Sequence, residues 1–124
     1  MKPTNNLQAD DRYYVPVEKL DAYRVACEVL ADVQARAGSW QFGKLRDQAE
    51  RAAVSMFVNL CEGWAYPRRN GNRRKQLHIA YGSAGEVAAA FDAARILRLS
   101  DPTRCAAAKR RCSRLGAMLV AMVR

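Results

Sequence analysis

The sequence predicts an all-α protein, an antiparallel up-down-up-down four-helix bundle, on three observations. Apolar residues recur at spacings of three and four along most of the chain, which is the period of a helix with one buried face. No segment sustains the alternation of period two that marks a half-buried strand. The interruptions, at Gly38, at Pro67 to Gly71 and at Ser100 to Pro102, are short, so consecutive helices must double back on one another. At 124 residues, half of them hydrophobic, the chain suffices for one domain around one core and is too short for two.

Residues 1–16 are polar, hold two of the four prolines and carry Asp10, Asp11, Tyr13 and Tyr14, so they read as an N-terminal arm to a bundle domain spanning 17–124. The first helix is expected over 17–37, with Leu20, Tyr23, Cys27, Leu30 and Gln34 on its inner stripe and Gly38 as its stop. Beside that stripe lie Val25, Val29 and Val33, a second apolar row that calls for a second partner. The second helix is expected over about 42–65, with Leu45, Ala49, Ala52, Met56 and Leu60 inward, ended by Gly63 and then Pro67. Asn70-Gly71 supplies a turn, and Asn72 is the expected cap of a third helix over about 72–99 that turns Leu77, Ala80, Ala84, Val87, Phe91 and Ala94 inward. Asp101 as cap and Pro102 in the first helical position, where its missing N–H is harmless, start the fourth helix. It runs over 102–123 with Cys105, Ala108, Cys112, Leu115, Leu119 and Met122 on one face.

Charge is the strongest functional signal. The net +9 is divided unevenly: up to Tyr66 there are 8 basic and 9 acidic residues, and beyond it 13 basic and 3 acidic. Clustered cations raise the local concentration of polyanions such as RNA, DNA or an anionic membrane face. The polar N-terminus lacks a signal peptide's apolar stretch, and the longest uncharged apolar-rich run, Ala52 to Cys61, is half a membrane span. The four cysteines form no CxxC pair, and Cys105 and Cys112 stand two helical turns, roughly 10 Å, apart. Free thiols in a cytoplasmic protein that does not enter a membrane are therefore expected.

Chemistry-bearing residues sort into two groups. Gln48, Ser55, Asn59 and Glu62 recur at helical spacing on the second helix, opposite Gln76, Ser83 and Glu86 on the third. Across two antiparallel neighbours, Ser55, Asn59, Glu62, Gln76, Ser83 and Glu86 are expected to form a structural polar network that fixes register. The alternative is a hydrolase that uses Ser55 and Glu62 and needs an open pocket between these helices. A Cys61/His78 nucleophile pair lacks an orienting third group, and neither zinc-ligand spacing nor a Gly-rich phosphate loop is present, so no catalytic residue, metal or cofactor is assigned.

The second group is basic. Arg68, Arg69, Arg73, Arg74 and Lys75 occupy five of eight positions at the turn between the second and third helices, and Arg104, Lys109, Arg110, Arg111 and Arg114 stud the fourth. Mutual repulsion makes so dense a set a poor device for solubility alone, and the planar fork of arginine matches phosphate oxygens. Trp64 and Tyr66, just before the turn, are placed to stack on an unpaired base or to cover the mouth of the bundle. The expectation is non-specific, phosphate-driven binding of RNA or DNA; the alternative is a scaffold that docks an acidic protein.

The run RAAVSMFVNLCEGWA, Arg51 to Ala65, followed after the basic turn by IAYGSAGEV, Ile79 to Val87, resembles a family of small bacterial four-helix bundle proteins. They were first noticed as products of intervening sequences within 23S ribosomal RNA genes, and the family includes the accessory variability determinant of diversity-generating retroelements. The Ser55, Asn59, Glu62-Gly63 spacing and the Gly82-Ser83 to Glu86 spacing carry the likeness, with Phe57 where the family usually has proline and Cys61 where it has alanine. The resemblance implies a homopentamer with a basic surface that engages nucleic acid, in one branch also a reverse transcriptase, and no enzymatic activity.

Overall fold

The computed structural model describes residues 16–123. Arg124 and all of the expected arm but Pro16 therefore lie outside the described residues. After a short 3-10 turn at Val17–Lys19, four helices follow: α1 (Asp21–Ala37), α2 (Gly43–Ala65), α3 (Gly71–Ile96) and α4 (Pro102–Val123). Helix α3 packs extensively against α2 and α4, while α1 lies more lightly on the same two, which is the closed cycle of an up-down bundle. The core is built mainly of alanine and medium-sized aliphatics, with Trp40 and Phe91 meeting edge to face near the α1–α2 connection, ring centroids 5.5 Å apart.

Helices α2, α3 and α4 bury the faces the sequence predicts, with Leu45 and Met122 partly exposed at the margins. In α1 the two stripes exchange roles. Val25, Val29 and Val33, with Ala22, Ala26 and Ala37, are buried in the protomer's own core, whereas Tyr23, Cys27 and Leu30 are half-buried and Gln34 is exposed. Compact valines and alanines let α1 sit down between α2 and α4, and its longer side chains are left along the edge toward α2, where Tyr23 meets Phe57 at 5.5 Å.

Three local expectations are corrected by backbone geometry. Gly63 does not end α2; it is buried inside it, and a Cβ there would stand 3.0 Å from Gln76 Cβ and 3.2 Å from Leu77 Cγ, so the glycine admits a close approach of α3. The cap of α3 is Asn70, whose side chain accepts from the Asn72 N–H at 2.7 Å, because Gly71 is already helical. Helix α3 stops at Ile96, three residues early, because Arg98 turns into the left-handed region with φ 58°. The Arg98 N–H then donates to Arg95 O at 3.1 Å and the Leu99 N–H to Ala94 O at 2.8 Å, the paired bonds of a Schellman ending, and Leu99 packs on the core. Asp101 caps α4 as expected, accepting from the Arg104 N–H at 3.0 Å.

Candidate nucleic-acid interface

The connection between α2 and α3 is tightly laced. Tyr66 leaves the helix in extended conformation, the Asn70 N–H closes a turn onto Pro67 O at 2.9 Å, and Asn70 O receives the Arg73 N–H at 3.1 Å. On this frame Arg68, Arg69, Arg74 and Lys75 are exposed and form no ion pair with any described residue. Four exposed cations thus fall within eight positions, none paired with a described carboxylate.

Arg73 stands apart from its neighbours. It is only 8% exposed, its guanidinium lies 3.6 Å from the centroid of the Trp64 ring, and its Nη1 donates to Tyr66 O at 3.2 Å. One face of Trp64 is thus covered by an arginine from the same chain.

The basic residues of α4 divide similarly. Arg104, Arg110 and Arg114 are exposed without a carboxylate partner among the described residues. Lys109 donates to Asp92 at 2.9 Å, and Arg111 forks onto Asp32 at 2.6 and 2.8 Å. The antiparallel register, fixed by Lys109 against Asp92 and Gly116 against Tyr81, sets the basic half of α4 toward the far end of α3. By that register Lys109 stands roughly 27 Å along α3 from Arg74 at ~1.5 Å per residue and Arg114, opposite the middle of α3, about 16 Å, so the cations of α4 extend along the bundle away from the turn.

The polar residues between α2 and α3 are brought together only in part. Ser83 Oγ donates to Ser55 Oγ at 2.9 Å, and Asn59 Nδ2 donates to Ser55 O at 2.8 Å. Gln76 is half-buried with its Cβ against Gly63, while Glu62 and Glu86 are exposed. Only Ser55 bonds across to α3, while Asn59 bonds back to Ser55 on its own helix and Glu62, on nearly the same stripe one heptad further on, stays exposed at the edge of the contact. Ser55 and Glu62 stand two turns apart on one helix, about 10 Å, beyond hydrogen-bond reach of each other. An open groove of about 430 Å³ does run between α2 and α3, lined by Lys44, Arg51, Ser55 and Glu86 among others.

His78 is exposed. Burial pushes the Cys112 thiol up to about 12 and raises that of Cys105, which keeps both as neutral, unreactive thiols at neutral pH. Among the described residues no group of three or more His, Cys, Asp or Glu side chains is placed to hold a metal ion, and no helix is long and apolar enough to cross a membrane.

A second, apolar groove of about 440 Å³ lies between α1 and α2, where Cys27 and Leu30 face Val54 and Phe57. Val54 is 55% exposed and Val58 40%. Sequence reasoning assigned the spare apolar surface to the valine row of α1, and the periodicity of α2 held the missed signal: Val54, Val58 and Cys61 form a row beside the core stripe.

A family model described as 23S rRNA-intervening sequence protein matches residues 18–121, which reaches from before α1 to within two residues of the end of α4. No curated protein matches the chain in sequence.

Proposed function

The chain belongs to the 23S rRNA-intervening sequence protein family, and we propose that it acts as a non-catalytic, homo-oligomeric protein that binds RNA or DNA through phosphate contacts. The observation that carries this reading is the α2–α3 turn, where Arg68, Arg69, Arg74 and Lys75 are exposed with no acidic partner among the described residues. Cations left unpaired cost the fold repulsion, and a polyanion relieves it while releasing counterions. Arg110 and Arg114 add further contacts along α4. Lys109 and Arg111 are already engaged by Asp92 and Asp32 and contribute little to phosphate binding.

Self-association supplies the rest of the affinity, since repeating a modest patch around an assembly makes each further contact intramolecular. The apolar groove between α1 and α2 supports this part of the reading, and a homopentamer is the assembly the family resemblance implies. The same cations suit an acidic protein, such as a reverse transcriptase, and that is the competing reading.

The test is anisotropy of labelled single-stranded RNA, duplex RNA and duplex DNA titrated with the protein at roughly 50 and 200 mM salt. Binding that falls by orders of magnitude at the higher salt is the expected result. No binding to any probe at low salt overturns the nucleic-acid reading and leaves the acidic partner.

A further inference from the structure

We infer that Arg73 is a positioning residue, which holds the α2–α3 turn in the shape that aims Arg68, Arg69, Arg74 and Lys75 outward, and is not itself a phosphate contact. The inference rests on the nucleic-acid reading above and deepens it.

Arg73 lies in the middle of the most basic stretch of the chain, yet it is buried where its neighbours are exposed. Its side chain joins three pieces of backbone. It rises from the first turn of α3, stacks on Trp64 in the last turn of α2, and donates to the carbonyl of Tyr66, the residue that follows α2. The carbonyls at the end of a helix have no intrahelical donor, so a hydrogen bond supplied from the next helix fixes both ends of the connection at once. Repulsion among Arg68, Arg69, Arg74 and Lys75 acts to spread the turn, and the stacked guanidinium beneath them opposes that spread.

The chemistry requires arginine. A guanidinium lies flat on an indole and keeps its edge N–H groups free to donate in the ring plane, whereas an ammonium is a strongly hydrated point charge that does neither well. Arg73→Lys therefore keeps the charge and loses the geometry, which separates the two roles.

The experiment titrates labelled duplex RNA with the full chain over a series of salt concentrations, and follows backbone amide exchange over residues 66–72 by mass spectrometry, below the unfolding midpoint of every variant. Arg73→Lys is expected to weaken binding by about three- to tenfold with the salt slope unchanged, and to speed exchange over the turn. Trp64→Leu is expected to do the same, and the double variant to be no worse than either single one. Arg74→Ala is expected to lower the slope by about 0.9 for each protomer in contact with the RNA and to leave exchange alone. Arg73→Lys that binds as the wild type does, or Arg73→Ala that lowers the slope by about 0.9 for each protomer in contact without faster exchange, overturns the inference. A wild type that binds neither RNA nor DNA instead sinks the nucleic-acid reading itself, and the exchange of Arg73→Lys then decides on its own whether this residue holds the turn.

Discussion

Arg111 reaches from α4 to Asp32 on α1 and grips both carboxylate oxygens, Nε on Oδ2 at 2.6 Å and Nη2 on Oδ1 at 2.8 Å. The pair closes the bundle along its least packed side, where α1 meets α4 through small side chains. Asp32 holds the Arg111 guanidinium above its ordinary range, chiefly through these hydrogen bonds. Arg111→Ala is therefore expected to destabilise the protein by about 1–3 kcal/mol, because it leaves a carboxylate that is 18% exposed without its partner. Arg110→Ala and Arg114→Ala, on the exposed face of the same helix, are expected to stay within about 0.5 kcal/mol of wild type. Urea unfolding of the three variants measures the difference. Equal costs would show that Arg111 is a surface cation like the others.

The seven glycines are not equivalent. At Gly63 a methyl group meets Gln76 Cβ at 3.0 Å and Leu77 Cδ2 at 3.2 Å, and both belong to a helix held on its other side by α4. Gly63→Ala is expected to cost about 1–3 kcal/mol from overpacking, against a helix-propensity gain of about 1 kcal/mol. At Gly82 and Gly85, also helical, nothing lies within 4 Å of the added carbon. Each change to alanine there is expected to stabilise the protomer by about 0.5–1 kcal/mol through propensity alone. Thermal unfolding of the three single variants separates the signs, and a stabilised Gly63→Ala would mean that α3 is free to retreat.

Acid sensitivity is expected to involve Asp92. Lys109 and then Arg95 hydrogen-bond its carboxylate and hold it below its ordinary value of 3.8. A carboxylate depressed in the folded state contributes stability above its unfolded value, and that contribution is lost as pH falls through the lower, folded one. Asp92→Asn is thus expected to flatten the fall in stability below about pH 4 and to change little at pH 7, where an exposed pair adds little. Unfolding midpoints from pH 7 to pH 2 for the two proteins check this, and parallel curves would exclude Asp92 as a contributor.

The bundle was legible because α2, α3 and α4 each carry one long apolar stripe of helical period bounded by short turns, and such stripes have few ways to be buried. The α1 assignment failed because two stripes of nearly equal hydrophobicity lie one residue apart on that helix. Periodicity measures how apolar a face is, not how closely a neighbour approaches, and the close approach selected the valines over Tyr23 and Leu30. The basic turn was visible from composition, but the inward turn of Arg73 depends on the aromatic ring nine residues earlier meeting it across the connection. Charge counting also merged the cations of the turn with those of α4, which only the register of Lys109 against Asp92 places at a distance.

That same α1 edge leads to the last prediction. With the valines buried, Tyr23, Cys27 and Leu30 are left half-covered and continue into the exposed Val54 and Val58 of α2, a single apolar surface with a groove of about 440 Å³ along it. Contiguous apolar surface of this kind marks an interaction site on a protein otherwise rich in charge. If it joins protomers, a carboxylate in the middle of it is desolvated on assembly without a partner, whereas in the protomer it remains in water. Val54→Glu is accordingly expected to shift the protein to monomer in sedimentation velocity while its helicity and midpoint stay near wild type. Ile96→Glu, 66% exposed at the end of α3, is expected to leave assembly intact. The monomeric variant is further expected to bind RNA more weakly than wild type with its four turn cations unchanged, because the contacts of neighbouring protomers no longer act together. A wild type that sediments as a monomer, or a Val54→Glu that still assembles, would remove this surface from the assembly.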